Sequence, residues 1–331
     1  LPATILCIEE DNNGRLWIGS FLDGCGWIDK NSSTYHRLPC TYGKANSIFD
    51  IKFDKDGNLW IGTMGDGLKC LNIKTDKIKE FHASDNRNSL TNDYIDQLSL
   101  SDDGKRIYVC TTSGLSCLDI ASGNWIKNYG QKKLVGDIVV FDAKEDIRRG
   151  KIWACTPEGL YCIDMKTKKE KIYTTEDGLN SNNTTAIEID DKANVWITTI
   201  NGMNCINTST GDISSFHIGD GLQGNEFCDG VACKTEKGEF IFGGMNGITW
   251  FYPEKIKQTK KQLQLFLTGF YAGGNDVIAG SQSGSYTITD STVATTSRFD
   301  LGHQDNTFTI TLSTLSYSNP ENITYLYSIN G

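Results

Sequence analysis

Proline is scarce in this 331-residue sequence, at five residues, and arginine stands at seven with no cluster suited to a substrate carboxylate. No run of 18 apolar residues occurs, so no segment reads as a membrane-spanning helix. The opening LPATILCIEED has neither a basic n-region nor an apolar h-region, and the chain reads as a piece of something longer. No G-x-S-x-G, P-loop or dinucleotide fingerprint is present, and no CxxC pair has zinc-finger spacing. These absences leave no catalytic residue, no metal ligand and no cofactor to nominate, and the expectation is that the chain is not an enzyme. A formal charge of −9 and a pI near 5.0 argue against nucleic acid or an anionic membrane as the main partner.

What the chain has in quantity is glycine, 34 residues, which suits an all-β protein with many tight turns. It also has a repeat. An alternating apolar stretch, an Asp/Asn/Gly turn, a Trp-centred apolar stretch and a small-residue turn ending in Gly recur six times, most clearly in Ile48 to Asn72, IFDIKFDKDGNLWIGTMGDGLKCLN. The equivalent positions are Trp17, Trp60, Tyr108, Trp153, Trp196 and Ile241, 43 to 48 residues apart. A period in the forties with about four short strands per unit predicts the blades of a β-propeller. In Leu59-Trp60-Ile61-Gly62 both strand faces are apolar, as a sheet packed on both sides requires. Trp60 and Gly62 share one face, so the ring beside the missing side chain leaves a notch for the next blade.

Eleven cysteines invite a disulfide reading. Cys70, Cys117, Cys162 and Cys205 fall on one third-strand position, however, and adjacent blades lie about 10 Å apart, beyond the roughly 7 Å a disulfide spans. They read as small buried hydrophobes. Cys110 with Cys117 and Cys155 with Cys162, seven apart across one hairpin, stay open as cross-strand bridges. Three of the four histidines, His36, His82 and His217, recur after the outer-strand aromatic, which marks architecture rather than catalysis. The acidic turns at Asp54 to Gly57 and Asp102 to Gly104 lack the further oxygen ligands and Glu of a calcium loop and read as hairpin turns.

The unit from Asp54 to Leu68, D-x-x-G-x-L-W-I-G-T-x-x-x-G-L, and more loosely Asp11 to Cys25, resembles the two-component regulator propeller repeat. Glu176 to Asn182 and Gly219 to Asn225 are similar to that family's DGL-x-x-N element. Gly243 to Pro253 is similar to the ending of its last blade. From Gln262 short Thr-rich alternating strands follow a charged stretch, EKIKQTKK. Tyr317 and Tyr325 to Gly331 resemble the triple-tyrosine domain that follows these propellers. The expected organisation is a propeller over 1–253, a linker over 254–261 and the first part of an immunoglobulin-like β-sandwich over 262–331. Six repeats are visible where the family has seven blades, so at least one blade is expected upstream of Leu1.

The resemblance implies the periplasmic sensor region of a hybrid two-component system in a Gram-negative bacterium, detecting an oligosaccharide and controlling polysaccharide-use genes. It further implies a homodimer formed through the sandwich and regions outside this chain, with membrane tethering through a helix beyond its C-terminus. A sugar site is expected on the face carrying the loops between second and third strands, at Phe21, Asp23, Met64, Asp66 and Asn246, and the loops crossing between blades, at Arg87, Asn92, Asn182 and Asn225. The same Asn and Asp residues are also the ordinary stabilisers of turns. A protein-interaction scaffold and a streptogramin-lyase-like propeller are the alternatives.

Overall fold

A computed structural model describes residues 2–39, 47–84, 89–126, 138–256, 264–314 and 328. The chain divides into two compact units, Leu1–Ile256 and Lys257–Gly331. The first unit thus runs three residues past Pro253, because Pro253–Lys255 form a 3-10 turn and Ile256 packs into the sixth sheet's core.

Among its described residues the first unit contains six antiparallel sheets, each a meander in chain order. Sheet 1 has β1 (Ile5–Glu10), β2 (Leu16–Ser20), β3 (Gly24–Ile28) and β4 (Tyr35–Arg37). Sheet 2 has β5 (Ile48–Phe53), β6 (Asn58–Thr63), β7 (Leu68–Asn72) and β8 (Lys77–Phe81). Sheet 3 has β9 (Ile95–Leu100), β10 (Arg106–Thr111), β11 (Gly114–Asp119) and β12 (Asn124–Trp125). Sheet 4 has β13 (Asp142–Asp146), β14 (Lys151–Thr156), β15 (Gly159–Asp164) and β16 (Glu170–Tyr173). Sheet 5 has β17 (Thr184–Ile189), β18 (Val195–Thr199), β19 (Gly202–Ile206) and β20 (Ile213–Phe216). Sheet 6 is three-stranded, with β21 (Phe227–Lys234), β22 (Phe240–Gly244) and β23 (Gly247–Phe251).

The first strands of successive sheets neighbour one another, which makes them the inner strands of a β-propeller. Apolar clusters fill each of the five interfaces from sheet 1 to sheet 6. The Trp slots supply one half of each interface: Trp17, Trp60, Tyr108, Trp153 and Trp196 are all 3% exposed or less. The notch beside the aromatic ring is where the next sheet enters, since a Cβ on Gly62 would meet Ile95 Cγ2 at 2.8 Å and one on Gly19 would meet Ile48 Cγ2 at the same distance.

The hairpin turns hold the aromatic slots from below. Asp11, Asp54 and Asp190 each lie six residues before a Trp, and each accepts the indole N–H, at 3.1, 2.9 and 3.2 Å. Their other oxygens accept backbone N–H groups of the turn, which is the work these acidic residues do. In sheets 3 and 4 the turn is one residue longer and the pattern breaks. Tyr108 donates instead to Glu145 of the next sheet at 2.8 Å, and the buried Trp153 Nε1 has no hydrogen-bond partner.

The cysteines among the described residues are free. Register explains why Cys110 and Cys117 do not bridge: Cys110 faces Leu115 while Cys117 faces Tyr108, and likewise Cys155 faces Leu160 while Cys162 faces Trp153. Each pair is diagonal across its hairpin, about 7–8 Å apart, too far for a disulfide.

In the second unit, β24 (Phe266–Ala272) pairs with β25 (Asn275–Asp276) and β28 (Phe308–Ser313), and β26 (Gln282–Ser283) with β27 (Tyr286–Thr287). Its core gathers Phe270, Ala272, Val277 and Ile288, with Phe299 stacked on Phe270. Tyr317, Tyr325 and Tyr327 lie outside the described residues.

Candidate functional site

The propeller offers two ends to a ligand. One carries the loops between second and third strands together with the crossings between sheets, and the other carries the turns between first and second strands.

The loop end is set by one repeated hydrogen bond. The last residue of each second strand in sheets 1 to 5 is Ser20, Thr63, Thr111, Thr156 or Thr199. Its hydroxyl donates to the carbonyl of the glycine at the start of the third strand, or just before it in sheet 2 (Gly67), at 2.7, 2.7, 2.8, 2.7 and 3.0 Å. This lock closes a tight loop and turns the residue after the Ser/Thr outward. In sheets 1, 2 and 5 that residue is apolar, as is Met245 after Gly244 in sheet 6, which has no such lock: Phe21, Met64, Ile200 and Met245 are 40–67% exposed. In sheets 3 and 4 it is Thr112 and Pro157. The apolar spots therefore fall on the two sheets at either end of the series, and the two middle sheets lack them.

Of the expected site residues, Phe21 and Met64 stand exposed on this face, as does Asn246, whose backbone N–H donates to Gln223 Oε1. The others are engaged locally. Asp23 Oδ2 accepts the Ala3 N–H at 3.4 Å, and Asp66 pairs with the buried Lys69 ammonium at 2.9 Å. Asn92 accepts from Tyr94 N and donates to Ser113 Oγ. Asn182 and Asn225 do identical work: each side-chain oxygen accepts, at 2.8 Å, the first N–H of a 3-10 turn, Thr175 or Ile218. Arg87 lies outside the described residues. Tyr94 was not foreseen. It is half-exposed, bridges to Met64 as an isolated β-pair and shields Gly65, placing an aromatic ring beside an apolar side chain on the loop face. Its signal in the sequence is a Tyr at the mouth of an inner strand, directly after the crossing Asn92-Asp93.

On the inner strands the loop end is narrowed by sheet 6. Pairing of β21 with β22 shifts register between Phe227 and Ala232, and the bulged segment reaches sheets 3 and 4. Gly230, at φ +67°, sits so close that a Cβ would lie 2.8 Å from Gln97 Oε1 and 3.3 Å from the Phe141 carbonyl. Beside the bulge, burial and the neighbouring Asp229 push the Asp96 carboxyl up to about 6, and its Oδ2 is buried without a partner.

The turn end opens into a polar cavity of about 360 Å³, lined by Asp102, Lys144, Asp146, Arg148, Glu188, Asp191 and Lys234 among others. Its three cations are already engaged: Lys144 with Glu188 at 3.1 Å, Lys234 with Asp191 at 2.7 Å, and Arg148 Nη2 with the Asp190 carbonyl at 2.8 Å. Burial works against the Lys144 ammonium, but Glu188 and Asp142 hold its pKa above the ordinary lysine value. Five carboxylates against three cations line the well, so it is acidic and disfavours an anionic ligand.

Residues 1–21 and 42–65 match the two-component regulator propeller family model. Those two stretches are similar to the two-component regulator propeller repeat. Histidine kinase P4 of Formosa agariphila is 25% identical over 248 residues, covering 73% of this chain and 18% of the relative's length. Among solved structures, the extracellular domain of a B. thetaiotaomicron protein described as a hybrid two component system shares the fold. It aligns with TM-score 0.66 and 19% identity over 93% of this chain and 41% of that chain. Virginiamycin B lyase from Staphylococcus aureus aligns with TM-score 0.55 and 13% identity, over 74% of this chain and 79% of that chain. At such identities these likenesses are of fold alone. The chain spans under half of the first solved structure and under a fifth of the curated relative.

Proposed function

We propose that this chain is part of the extracytoplasmic, ligand-sensing region of a hybrid two-component sensor of a Gram-negative bacterium. In this reading an oligosaccharide binds the loop face and biases the arrangement of a homodimer, and the shift controls polysaccharide-use genes through a kinase outside this chain. The observation that carries the reading is the match to regulator propeller repeats in a chain whose fold likeness to a hybrid system's extracellular domain extends over 93% of its length.

The loop face suits a sugar better than the polar well does. Phe21, Met64 and Tyr94 give exposed apolar and aromatic surface for the C–H faces of sugar rings, while Asn246 supplies an exposed amide on the loop of sheet 6. Isothermal titration of the natural-length sensor region against plant, host and microbial oligosaccharides tests this. Micromolar heat from one class, lost in Tyr94→Ala and Met64→Ala, is the expected result. No heat from a folded protein across the panel refutes the sugar, and binding untouched by both substitutions refutes the face.

A further inference from the structure

Two irregular inner strands meet at the loop end of the propeller's central channel. In β9 the ladder skips Asp96, since Gln97 lies opposite Cys110 and Ile95 opposite Thr111. In β21 the chain from Phe227 to Ala232 lies opposite only Gly244 to Phe242 of β22, and the surplus is the bulge that reaches sheets 3 and 4. Gly230 is its point of contact, where the absence of a side chain lets Gln97 and the Phe141 carbonyl come close. Next to that contact, Asp96 Oδ2 is buried and receives no hydrogen bond. A carboxylate there has lost its water without gaining a donor, a cost that the neutral acid largely escapes. The ionisable groups that come near from the surrounding strands are Asp50 of β5, Cys110 of β10, Asp142 of β13 and Asp229 of β21. Asp50 is held by Ile51 N and Leu98 N, and Asp142 by Ala143 N and Ile187 N. Lys52 and Lys144, two residues further along their strands, pair with Glu9 and Glu188, and Cys228 of the bulge lies against Met245. Asp229 is the group whose charge adds to burial in raising the Asp96 carboxyl.

We propose that the β21 bulge is a plug over the loop end of the channel, seated while Asp96 carries a proton and released when that proton is lost. Lifting the bulge gives Asp96 back to water and draws Asp229 away from it, so its carboxyl returns to an ordinary value of about 3.9. Under the seated bulge the same carboxyl is pushed up to about 6. The proton that leaves Asp96 on lifting passes to water. Seating is therefore favoured in full below about pH 4, and that preference is lost as pH rises through 6. A difference of about two pH units makes the ratio of lifted to seated bulge climb about a hundredfold from about pH 4 to about pH 7 and then level off. Gly230 suits such a part, since the contact it makes is close but involves no side chain that must be repacked when the bulge moves.

Hydrogen exchange of the intact protein across that pH range, read by mass spectrometry on peptides covering Cys228 to Val231, tests the plug. Asp96→Asn keeps the shape without the proton and serves as the reference at each pH, which cancels the intrinsic pH dependence of exchange. Exchange in the wild type relative to Asp96→Asn should climb about a hundredfold. In Asp229→Asn the midpoint of the climb should fall below that of the wild type, because one of its two causes is gone. In Asp142→Asn the climb should persist, because Asp142 bonds Ile187 and not the bulge. A flat ratio overturns the proposal. So does a climb that Asp142→Asn abolishes, or one that the amides of β6 share, which would belong to opening of the sheets as a whole. Should Asp96→Asn fail to fold, the comparison of Asp229→Asn with wild type still decides, and an unmoved midpoint overturns the plug.

Discussion

Replacing Asp54 with Ala asks how much one turn carboxylate contributes to a blade. Asp54 is buried, and its oxygens accept four hydrogen bonds: from Asp56 N, Asn58 N, Asn58 Nδ2 and Trp60 Nε1. The turn N–H groups can turn to water after truncation. The Trp60 indole cannot, because the ring is 3% exposed in the interface with sheet 3. Stranding that donor costs about 1–3 kcal/mol, and loosening the turn about 1 kcal/mol more. The expected loss is about 3 kcal/mol, or roughly 6–12 °C in Tm for a unit of this size. All seven tryptophans belong to the propeller unit, so their fluorescence during urea unfolding follows that unit alone. The midpoint should fall with the slope unchanged. The decisive comparison is a double-mutant cycle with Trp60→Phe, which removes the donor. In the Trp60→Phe background, Asp54→Ala should cost about 1–2 kcal/mol less than it does with the indole in place. An equal cost in both backgrounds would refute the claim that the carboxylate acts by holding the indole.

Three further outcomes follow from the same interior. Glu145→Ala strands the Tyr108 hydroxyl and the Arg106 guanidinium, which now meet Glu145 at 2.8 and 2.7 Å, and should cost about 3 kcal/mol by urea unfolding. Glu145→Gln, which keeps an acceptor for Tyr108, should cost less. Asp142 is buried on the inner strand of sheet 4, and burial pushes its carboxyl up to about 7. Against an unfolded value of about 3.9, the folded chain holds a proton that the unfolded chain has released. The contribution to stability is full below about pH 4 and is lost as pH rises to about 7, at no more than about 1.4 kcal/mol per unit. Asp142→Asn should flatten that part of the stability–pH curve, and an unchanged slope would refute the assignment. Gly230→Val should lower Tm by several degrees, because a left-handed backbone and two contacts across the inner strands leave no room for a side chain. A Tm equal to wild type would show that the bulge is not held against sheets 3 and 4.

The blades were legible in the sequence because their packing repeats. A buried ring beside a small residue recurs at nearly fixed spacing, and each interface reuses it, so the Trp60–Gly62 notch could be read before its occupant, Ile95, was known. The Asp–Trp bond was legible too, though less obviously, as a spacing of six that Asp11, Asp54 and Asp190 keep and Asp146 misses by one. Glu145 was not, because its partners Arg106 and Tyr108 come from the neighbouring sheet and a period does not say which residues cross between blades.

The candidate site is harder to read, and the reason is chemical. Asn, Asp and amide side chains attract notice as sugar ligands, yet the same groups are the ones that close turns, and Asn182 and Asn225 perform one capping bond in two successive crossings. What distinguishes this face lies one residue after each Ser/Thr lock, where the backbone has no freedom to tuck a side chain inward. An apolar residue there is exposed by construction, and the chain accepts that exposure at Phe21, Met64 and Ile200, and at the equivalent Met245 after Gly244, but not in sheets 3 and 4. A hydrophobic side chain that packing cannot hide, repeated on some blades and absent from others, is a stronger pointer to a ligand than a polar one that the turn already employs.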